Sequence, residues 1–164
     1  MIITIDGVAG AGKTTLAKFL AEEFKHRSSL QVVHMDDLYE GWGDPLGAQF
    51  STKLQHIARA HRGGYSFETT SYDWEKSRPG AALVISPVDV LILEGVGSGQ
   101  RSIREFVERK IWIDLEPTVG LRRVLVRDGQ GIEEEMVRFM EEQRTHFSEE
   151  GTREAAEFHL NGLT

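Results

Sequence analysis

The sequence predicts an α/β fold in which helices cover both faces of a parallel sheet. Short β-rich runs alternate with segments of helical periodicity along the chain, and this alternation is typical of such sheets. Polar clusters follow three of the predicted strands, at the carboxyl ends where parallel sheets bind ligands. The 164 residues suffice for one hydrophobic core, so residues 1–164 are expected to form a single domain.

The first half of the chain contains two predicted strands and two predicted helices. Residues 2–6 form a β-rich run that ends at a glycine, and residues 13–25 repeat apolar side chains at helical spacing. Residues 31–35 are a second β-branched run. Asp44 is predicted as the N-cap of the next helix, with proline at its first position, and Gly63 ends that helix.

The second half continues the alternation after an interruption. Residues 65–87 are rich in Ser, Thr and Pro and are predicted to form an irregular excursion beside the sheet, where sites are often built. The further elements are a central strand over residues 89–93, a strand over 110–114, helices over 117–128 and 132–147, and a short last strand over 157–160. The sequence therefore predicts five parallel strands.

Composition narrows the classes of protein and of partner. The chain has no cysteine, which excludes disulfides and cysteine-based zinc sites. Its formal net charge of −7 disfavours a nucleic-acid partner, because a phosphate backbone needs a basic surface. No apolar run is long enough to span a membrane, and no basic leader precedes the first strand. We therefore expect a cytoplasmic protein that binds neither nucleic acid nor membrane.

The segment from Gly7 to Thr14 matches the phosphate-loop pattern G-x-x-x-x-G-K-[ST] in full. Its glycines allow backbone N–H groups to point at phosphate oxygens, and the helix that follows presents its positive N-terminus to the same anion. Lys13 is expected to reach the β- and γ-phosphates, and Thr14 to bind Mg²⁺. The predicted nucleotide-binding residues are Gly7, Ala9, Gly10, Ala11, Gly12, Lys13, Thr14 and Thr15. ATP and Mg²⁺ are the expected cofactors.

Two acidic residues follow predicted strands and are assigned to the acceptor side of the site. Asp36 comes after the second strand and is predicted as the general base or as an indirect magnesium ligand, since phosphoryl transfer requires a group that accepts the acceptor's proton. Glu94 ends the most apolar strand in a Walker-B-like arrangement, and it is predicted to hold a magnesium-bound water or to orient the acceptor. His34 is interpreted as a strand residue rather than a catalyst.

A basic cluster lies in the predicted helix over residues 117–128. Arg123 and Arg127 are four residues apart and share one helix face. Guanidinium groups suit phosphate oxygens, so a mobile lid over about residues 122–132 is predicted to close on the triphosphate and exclude water. In the alternative interpretation, this is a solvated helix that pairs with the acidic stretch after it.

In order along the chain, these segments resemble the uridine kinase branch of the P-loop nucleoside and small-molecule kinases. After the phosphate loop, Asp36 to Tyr39 is similar to a strand-end Asp-x-Phe-Tyr, in which the first Asp is the base and the Tyr lines the acceptor pocket. Asp44 and Pro45 are similar to an Asp-His-Pro element whose Asp binds ribose hydroxyls. Residues 72–78 resemble a Tyr-Asp-Phe segment, ending in Ser-Arg, that contacts the base.

Three later segments extend the resemblance. Glu94 to Val96 resembles Glu-Gly-Ile after the Walker-B strand, residues 122–128 are similar to an arginine lid, and Thr152 to Gly162 resembles a closing segment near the adenine. The resemblance implies a three-layer α/β/α P-loop kinase fold with a five-stranded parallel sheet in the order 2-3-1-4-5, an arginine-bearing lid, and an acceptor-site excursion over about residues 39–80.

The motifs and the resemblance predict three groups of site residues. The predicted catalytic residues are Asp36, Lys13, Arg123 and Arg127, and Arg123 is also expected to contact the nucleotide. The predicted acceptor-binding residues are Asp36, Tyr39, Asp44, Tyr72, Trp74, Arg78 and Glu94. The predicted magnesium ligands are Thr14 and Glu94.

The departures from the family pattern lie on the acceptor side. The base-contacting segment is shorter and lacks its histidine, and Asp44 is followed directly by proline. The sequence therefore favours an ATP- and Mg-dependent kinase for a small acceptor, with a nucleoside such as uridine or cytidine first. The alternatives are a kinase for a vitamin, a sugar acid or a nucleoside monophosphate, and a regulatory P-loop ATPase. A monomer or homodimer is expected.

Overall fold

The computed structural model describes residues 1–162. In chain order, its principal elements are β1 (Ile2–Gly7), α1 (Lys13–Phe24), β2 (Leu30–His34), α2 (Ala48–Gly63), β3 (Phe67–Asp73), β4 (Arg78–Ile85), β5 (Val90–Glu94), β6 (Arg109–Asp114), α3 (Pro117–Asp128), α4 (Glu133–Glu150), α5 (Thr152–Ala155) and β7 (Phe158–Asn161). Single turns of 3-10 helix occupy Met35–Asp37 and Gln130–Ile132, and a longer one Arg101–Phe106.

The main sheet contains five parallel strands in the spatial order β2-β5-β1-β6-β7. The strands β3 and β4 lie outside this sheet, so the five parallel strands, counted along the chain, have the order 2-3-1-4-5. The predicted topology is confirmed. Strands β1 and β5 lie inside the sheet, and all their residues are buried. The residues of the edge strands β2 and β7 are largely half-buried or exposed.

Alternate residues of the central strands pack into two separate cores. Leu91 and Leu93 face a core that contains the apolar sides of α2, α3 and α4. Val90 and Ile92 face the other core, against α1. Successive side chains of a strand point to opposite faces, so a strand buried on both faces is apolar throughout. The three-layer α/β/α architecture predicted from the sequence is confirmed.

Residues 65–87, which were predicted to be irregular, form an antiparallel hairpin. Strands β3 and β4 pair from Phe67 opposite Ile85 to Asp73 opposite Arg78, with an irregularity between Thr70 and Tyr72. The prediction was wrong because the hairpin is mostly half-buried or exposed, so its sequence shows no clean alternation of apolar and polar residues. The hairpin is a compact arm beside the sheet.

The helix α2 begins three residues later than its predicted proline start. Its N-cap is Gly47, and no side chain caps it, so the prediction of Asp44 as N-cap was wrong. The Gly47 N–H bonds the Asp44 carbonyl at 3.3 Å, and the Asp44 carboxylate lies over Gly47, where an added Cβ would come 1.9 Å from its Oδ2. The residues between the proline and the helix thus form a turn.

Helix α3 lies directly against the backbone of the phosphate loop. A Cβ added at Gly120 on α3 would come 2.2 Å from the carbonyl oxygen of Ala9, and one added at Gly10 would come 2.4 Å from the carbonyl oxygen of Gly120. Both distances are far below van der Waals contact, so this approach requires glycine on both sides. The pair fixes how closely the helix packs on the loop.

We predict that Gly120→Ala destabilises the protein, although alanine is favoured over glycine in helices by about 1 kcal/mol. The methyl group has no room, so we expect the free energy of unfolding to fall by roughly 2 kcal/mol, as for other overpacked sites. Gly131→Ala is the control, because a Cβ there meets nothing within 4 Å. Urea denaturation measures both variants, and equal stability of the two would contradict the prediction.

Candidate active site

The phosphate loop joins β1 to α1 through three glycines with positive φ. Gly7, Gly10 and Gly12 have φ values of 141°, 78° and 96°. Residues other than glycine rarely adopt these backbone conformations. At Gly7 and Gly10, a Cβ would also collide with the neighbouring backbone. The glycines of the motif are therefore required by the course of the loop itself.

This course leaves a group of backbone donors open at the N-terminus of α1. Their N–H groups bond no acceptor within residues 1–162: Gly10, Gly12, Lys13, Thr14 and Thr15. The first N–H groups of a helix have no partner inside the helix, and the helix dipole adds positive potential there. Such an arrangement binds anions, and it fits the phosphates of a nucleotide.

Lys13 is buried and folds back on its own loop. Its Nζ donates to the carbonyl oxygens of Gly7 and Val8, both at 2.8 Å. Burial lowers the pKa of Lys13, and acidic neighbours, of which Asp6 acts most strongly, oppose this shift. The cation is thus held by the carbonyls of the same loop that carries the open N–H groups.

Asp6 lies beneath the loop and was missed by the sequence analysis. Its buried carboxylate accepts the N–H groups of Gly7 at 2.8 Å, Gly97 at 3.1 Å and Gly99 at 2.8 Å. Burial raises its pKa to about 6, although these three bonds and Lys13 lower it. An acid at the end of an otherwise apolar strand was the available signal. Through these hydrogen bonds, Asp6 connects the first residue of the phosphate loop to the turn that follows β5.

Glu94 connects β5 to the first turn of α1. Its Oε1 accepts the hydroxyl of Thr14 at 2.9 Å and also contacts Nδ1 of His34. The bond to Glu94 raises the pKa of His34. His34 is the last residue of β2, as predicted, and its ring also contacts this carboxylate. Thr14 and Glu94 supply the hydroxyl and carboxylate oxygens that Mg²⁺ prefers, so they fit a site shared with phosphates.

Asp36 occupies the 3-10 turn after β2 and faces the same cluster. Its side chain is accessible to solvent but is surrounded by many protein atoms. Desolvation therefore raises the pKa of Asp36, whereas the positive charges of Lys13 and Arg127 lower it. Its backbone carbonyl accepts the indole N–H of Trp74 at 3.0 Å. The hairpin is thus fastened to the turn that carries the predicted base.

The two arginines of the predicted lid face different parts of the site. Arg127 makes two bonds of 2.6 Å to Asp128, and the charges of Asp36 and Glu94 also raise its pKa, so it lies in the field of the acidic cluster. Helix α3 continues unbroken to Asp128. The lid predicted over residues 122–132 thus covers the end of α3 and the turn Gln130–Ile132, and its closure on a triphosphate stays a prediction.

Arg123 lies on the outer side of the phosphate loop. Its Nη1 donates to the carbonyl oxygens of Gly162 at 2.7 Å and of Gly10 at 3.3 Å. It therefore connects α3, the loop and the segment after β7. In this position Arg123 is beside the nucleotide loop, as predicted, but it is apart from the cluster around Asp36.

Three aromatic side chains form a group next to Asp36. Tyr39 is not one of these three. Trp74 contacts the rings of Trp42 and Tyr72, each with a centroid distance of 4.9 Å. Tyr39 is 3% exposed, and its hydroxyl donates to the carbonyl of Val96 at 2.6 Å. Tyr39 is thus a core residue rather than the pocket-lining residue that the resemblance implied.

Two predicted acceptor-binding residues lie apart from Asp36. Asp44 lines an open cavity of about 490 Å³ along α4, together with Glu142 and His146. Arg78 is exposed at the base of the hairpin tip, opposite Asp73. Neither side chain forms a hydrogen bond or an ion pair with Asp36 in the part of the chain that the structure describes. The structure therefore separates these two predicted residues from Asp36, whereas the aromatic group of the hairpin lies beside it.

The chain is similar in sequence to known proteins. A family model described as AAA domain matches residues 3–146. A uridine kinase from Halalkalibacterium halodurans is 26% identical over 143 residues, which cover 78% of this chain and 67% of that protein. A cytidylate kinase from Methanococcoides burtonii is 29% identical over 136 residues, which cover 83% of this chain and 68% of that protein.

Solved structures show the same fold. One described as a possible uridine kinase from Bacillus stearothermophilus has a TM-score of 0.71 at 20% identity, covering 98% of this chain and 88% of that chain. A shikimate kinase from Bacteroides thetaiotaomicron has a TM-score of 0.58 at 18% identity, covering 99% and 86%. The P-loop kinase fold and the resemblance to uridine kinases are confirmed.

We predict that Asp6 makes the stability of the protein fall between about pH 4 and pH 6. The pKa of Asp6 is raised from 3.8 to about 6, so the folded state binds this proton more tightly than the unfolded state. The free energy of unfolding therefore decreases as pH rises through this window, by about 3 kcal/mol.

The variant Asp6→Asn removes this titration. The measurement is urea denaturation of wild type and Asp6→Asn at several pH values from 4 to 7, with the difference in unfolding free energy followed against pH. Taking the difference cancels the other titrating groups. A difference that stays constant across this range would show that Asp6 does not titrate as stated.

Proposed function

The chain belongs to the AAA domain family, and on this premise we propose that it is an ATP- and Mg-dependent kinase that transfers the γ-phosphate to a hydroxyl group of a small acceptor. One observation carries the proposal: the phosphate loop has open N–H groups, Lys13 bonds the carbonyls of that loop, and the carboxylate of Asp36 lies in the electrostatic field of this lysine. A nucleotide-binding module would need the loop, but it would not need an accessible acid beside it.

The residues of the chain divide the work of phosphoryl transfer. The open N–H groups and Lys13 bind and neutralise the phosphates. Asp36 accepts the proton of the acceptor hydroxyl, and its raised pKa makes it a stronger base than an ordinary aspartate. Arg127 adds positive charge on the same side. Thr14 and Glu94 would hold Mg²⁺, and this ion would withdraw negative charge from the phosphates.

A nucleoside such as uridine or cytidine is the acceptor we favour. Two observations support this choice: the similarity to uridine kinases, and the aromatic group beside Asp36, of which Trp74 and Tyr72 are half-buried and able to contact a flat base. A vitamin, a sugar acid or a nucleoside monophosphate remains the alternative, because the departures from the family pattern lie in this region.

The expected cellular setting stays a prediction. None of the helices within residues 1–162 combines the length and the apolar character that a membrane span requires. A cytoplasmic location and a monomeric or homodimeric state are proposed with the function.

The proposed function is tested by a coupled assay of ADP release with Mg-ATP and a panel of nucleosides, nucleotides, vitamins and sugars. We expect release to depend on an acceptor and to be fastest with a pyrimidine nucleoside. Release without any acceptor would favour the alternative of a regulatory ATPase. Dependence on an acceptor of another class would retain the kinase and replace the nucleoside.

We predict that Asp36→Asn lowers kcat by roughly 100- to 10,000-fold, the range for loss of a general base. The Kd for Mg-ATP should change less than about threefold, because the open N–H groups and Lys13 remain in place. Asp37→Asn is the matched control, since this neighbouring acid lies on the same turn and its strongest opposite-charge contact is with His34. Steady-state kinetics and calorimetry measure both variants, and similar turnover in the two would refute the assignment of the base.

A further inference from the structure

Gln143 is a buried polar residue that contacts the phosphate loop from helix α4. It lies on α4 and is 1% exposed. Its Oε1 accepts the backbone N–H of Ala9 at 3.0 Å, and its Nε2 donates to Sδ of Met140 at 3.0 Å. The other buried side chains of α4, Met136 and Phe139, are apolar. One polar side chain of this helix thus enters the core and ends on the phosphate loop.

The bond from Ala9 does not compete with phosphate binding. Ala9 is the third residue of the motif, and its N–H is separate from the five open N–H groups that face the anion site. Gln143 therefore holds the loop from outside while those groups stay available. Two further N–H groups of the loop also have protein acceptors: that of Gly7 bonds the Asp6 carboxylate at 2.8 Å, and that of Ala11 bonds the carbonyl of Val8 at 3.1 Å.

A hydrophobic residue at position 143 would not serve this place equally well. If the partly buried Ala9 N–H lost this acceptor, the loss of its hydration would no longer be offset by a hydrogen bond. The loop could avoid this penalty only by turning the N–H elsewhere, and that would move the neighbouring donors. The same helix begins only a few residues after Arg127, so its position on the loop also sets where the arginine-bearing end of α3 stands.

We propose that Gln143 is a positioning residue for the nucleotide site: through the Ala9 N–H, it holds the phosphate loop in its anion-binding form and connects that loop to α4. The proposal rests on the proposed function only in that the loop binds a nucleotide. Gln143 itself does not touch the phosphates. It acts through the backbone of the loop.

The test compares Gln143→Leu, which removes the acceptor at similar volume, with Gln143→Asn, which keeps an amide but is one methylene too short to reach Ala9. Met136→Val is the control, because it changes a buried residue of the same helix that belongs to the apolar core. Calorimetry measures the Kd for Mg-ADP, thermal unfolding measures stability, and NMR hydrogen exchange follows the Ala9 amide.

We expect both Gln143 variants to bind Mg-ADP about tenfold more weakly, as the loss of one buried hydrogen bond implies, with faster exchange of the Ala9 amide. Met136→Val should lower the melting temperature but leave the Kd within about twofold, so a purely structural role is distinguished from positioning. If the Gln143 variants lose stability yet bind Mg-ADP as tightly as wild type, the proposal is overturned.

A further variant distinguishes failure of this positioning role from failure of the proposed function. Lys13→Ala removes the cation inside the loop and should abolish most of the Mg-ADP affinity. If Lys13→Ala binds weakly while the Gln143 variants bind normally, only the positioning role fails. If Lys13→Ala binds as wild type does, nucleotide binding by this loop fails, and the proposed function fails with it.

Discussion

The phosphate loop must keep five of its backbone N–H groups free of protein acceptors, and the rest of the site is arranged around this constraint. A loop that satisfied its own donors would have nothing to offer an anion, whereas one without support would turn those donors to water. The protein supports it from outside. Asp6 holds its root, Gly120 allows α3 to pack on its backbone, and Gln143 takes the Ala9 N–H. Each support leaves the five open donors untouched.

The charges of the site show a second consequence of the same arrangement. Three carboxylates, from Asp6, Asp36 and Glu94, lie in the field of the buried cation Lys13. Desolvation raises the pKa of both Asp6 and Asp36 in spite of that lysine. A triphosphate would bring more negative charge into this cluster. A divalent cation beside Thr14 and Glu94 would relieve the repulsion, and for this reason the proposed function includes Mg²⁺.

The sequence predicted the parallel sheet and the nucleotide loop because both depend on local signals, whereas the order of the strands came from the resemblance to a known family. A motif that needs glycine at fixed positions, and a regular alternation of strands and helices, are visible in a few residues at a time. The pairing of His34 with Glu94 is not local, since the two residues face each other across β2 and β5. The hairpin over residues 67–85 depends on pairing and on Trp74, and the burial of Tyr39 depends on α4; neither leaves a periodic trace.

The nucleotide side and the predicted acceptor side of the site are built from different parts of the molecule. The nucleotide side consists of backbone groups and glycine contacts that tolerate almost no displacement. The acceptor side consists of side chains on a hairpin outside the main sheet, fastened near Asp36 through the Trp74 indole. Such an arm can change its length and side chains while the loop stays intact. Relatives with the names uridine kinase and cytidylate kinase are therefore compatible with one fold and one phosphate site, and the acceptor must be determined from the hairpin side.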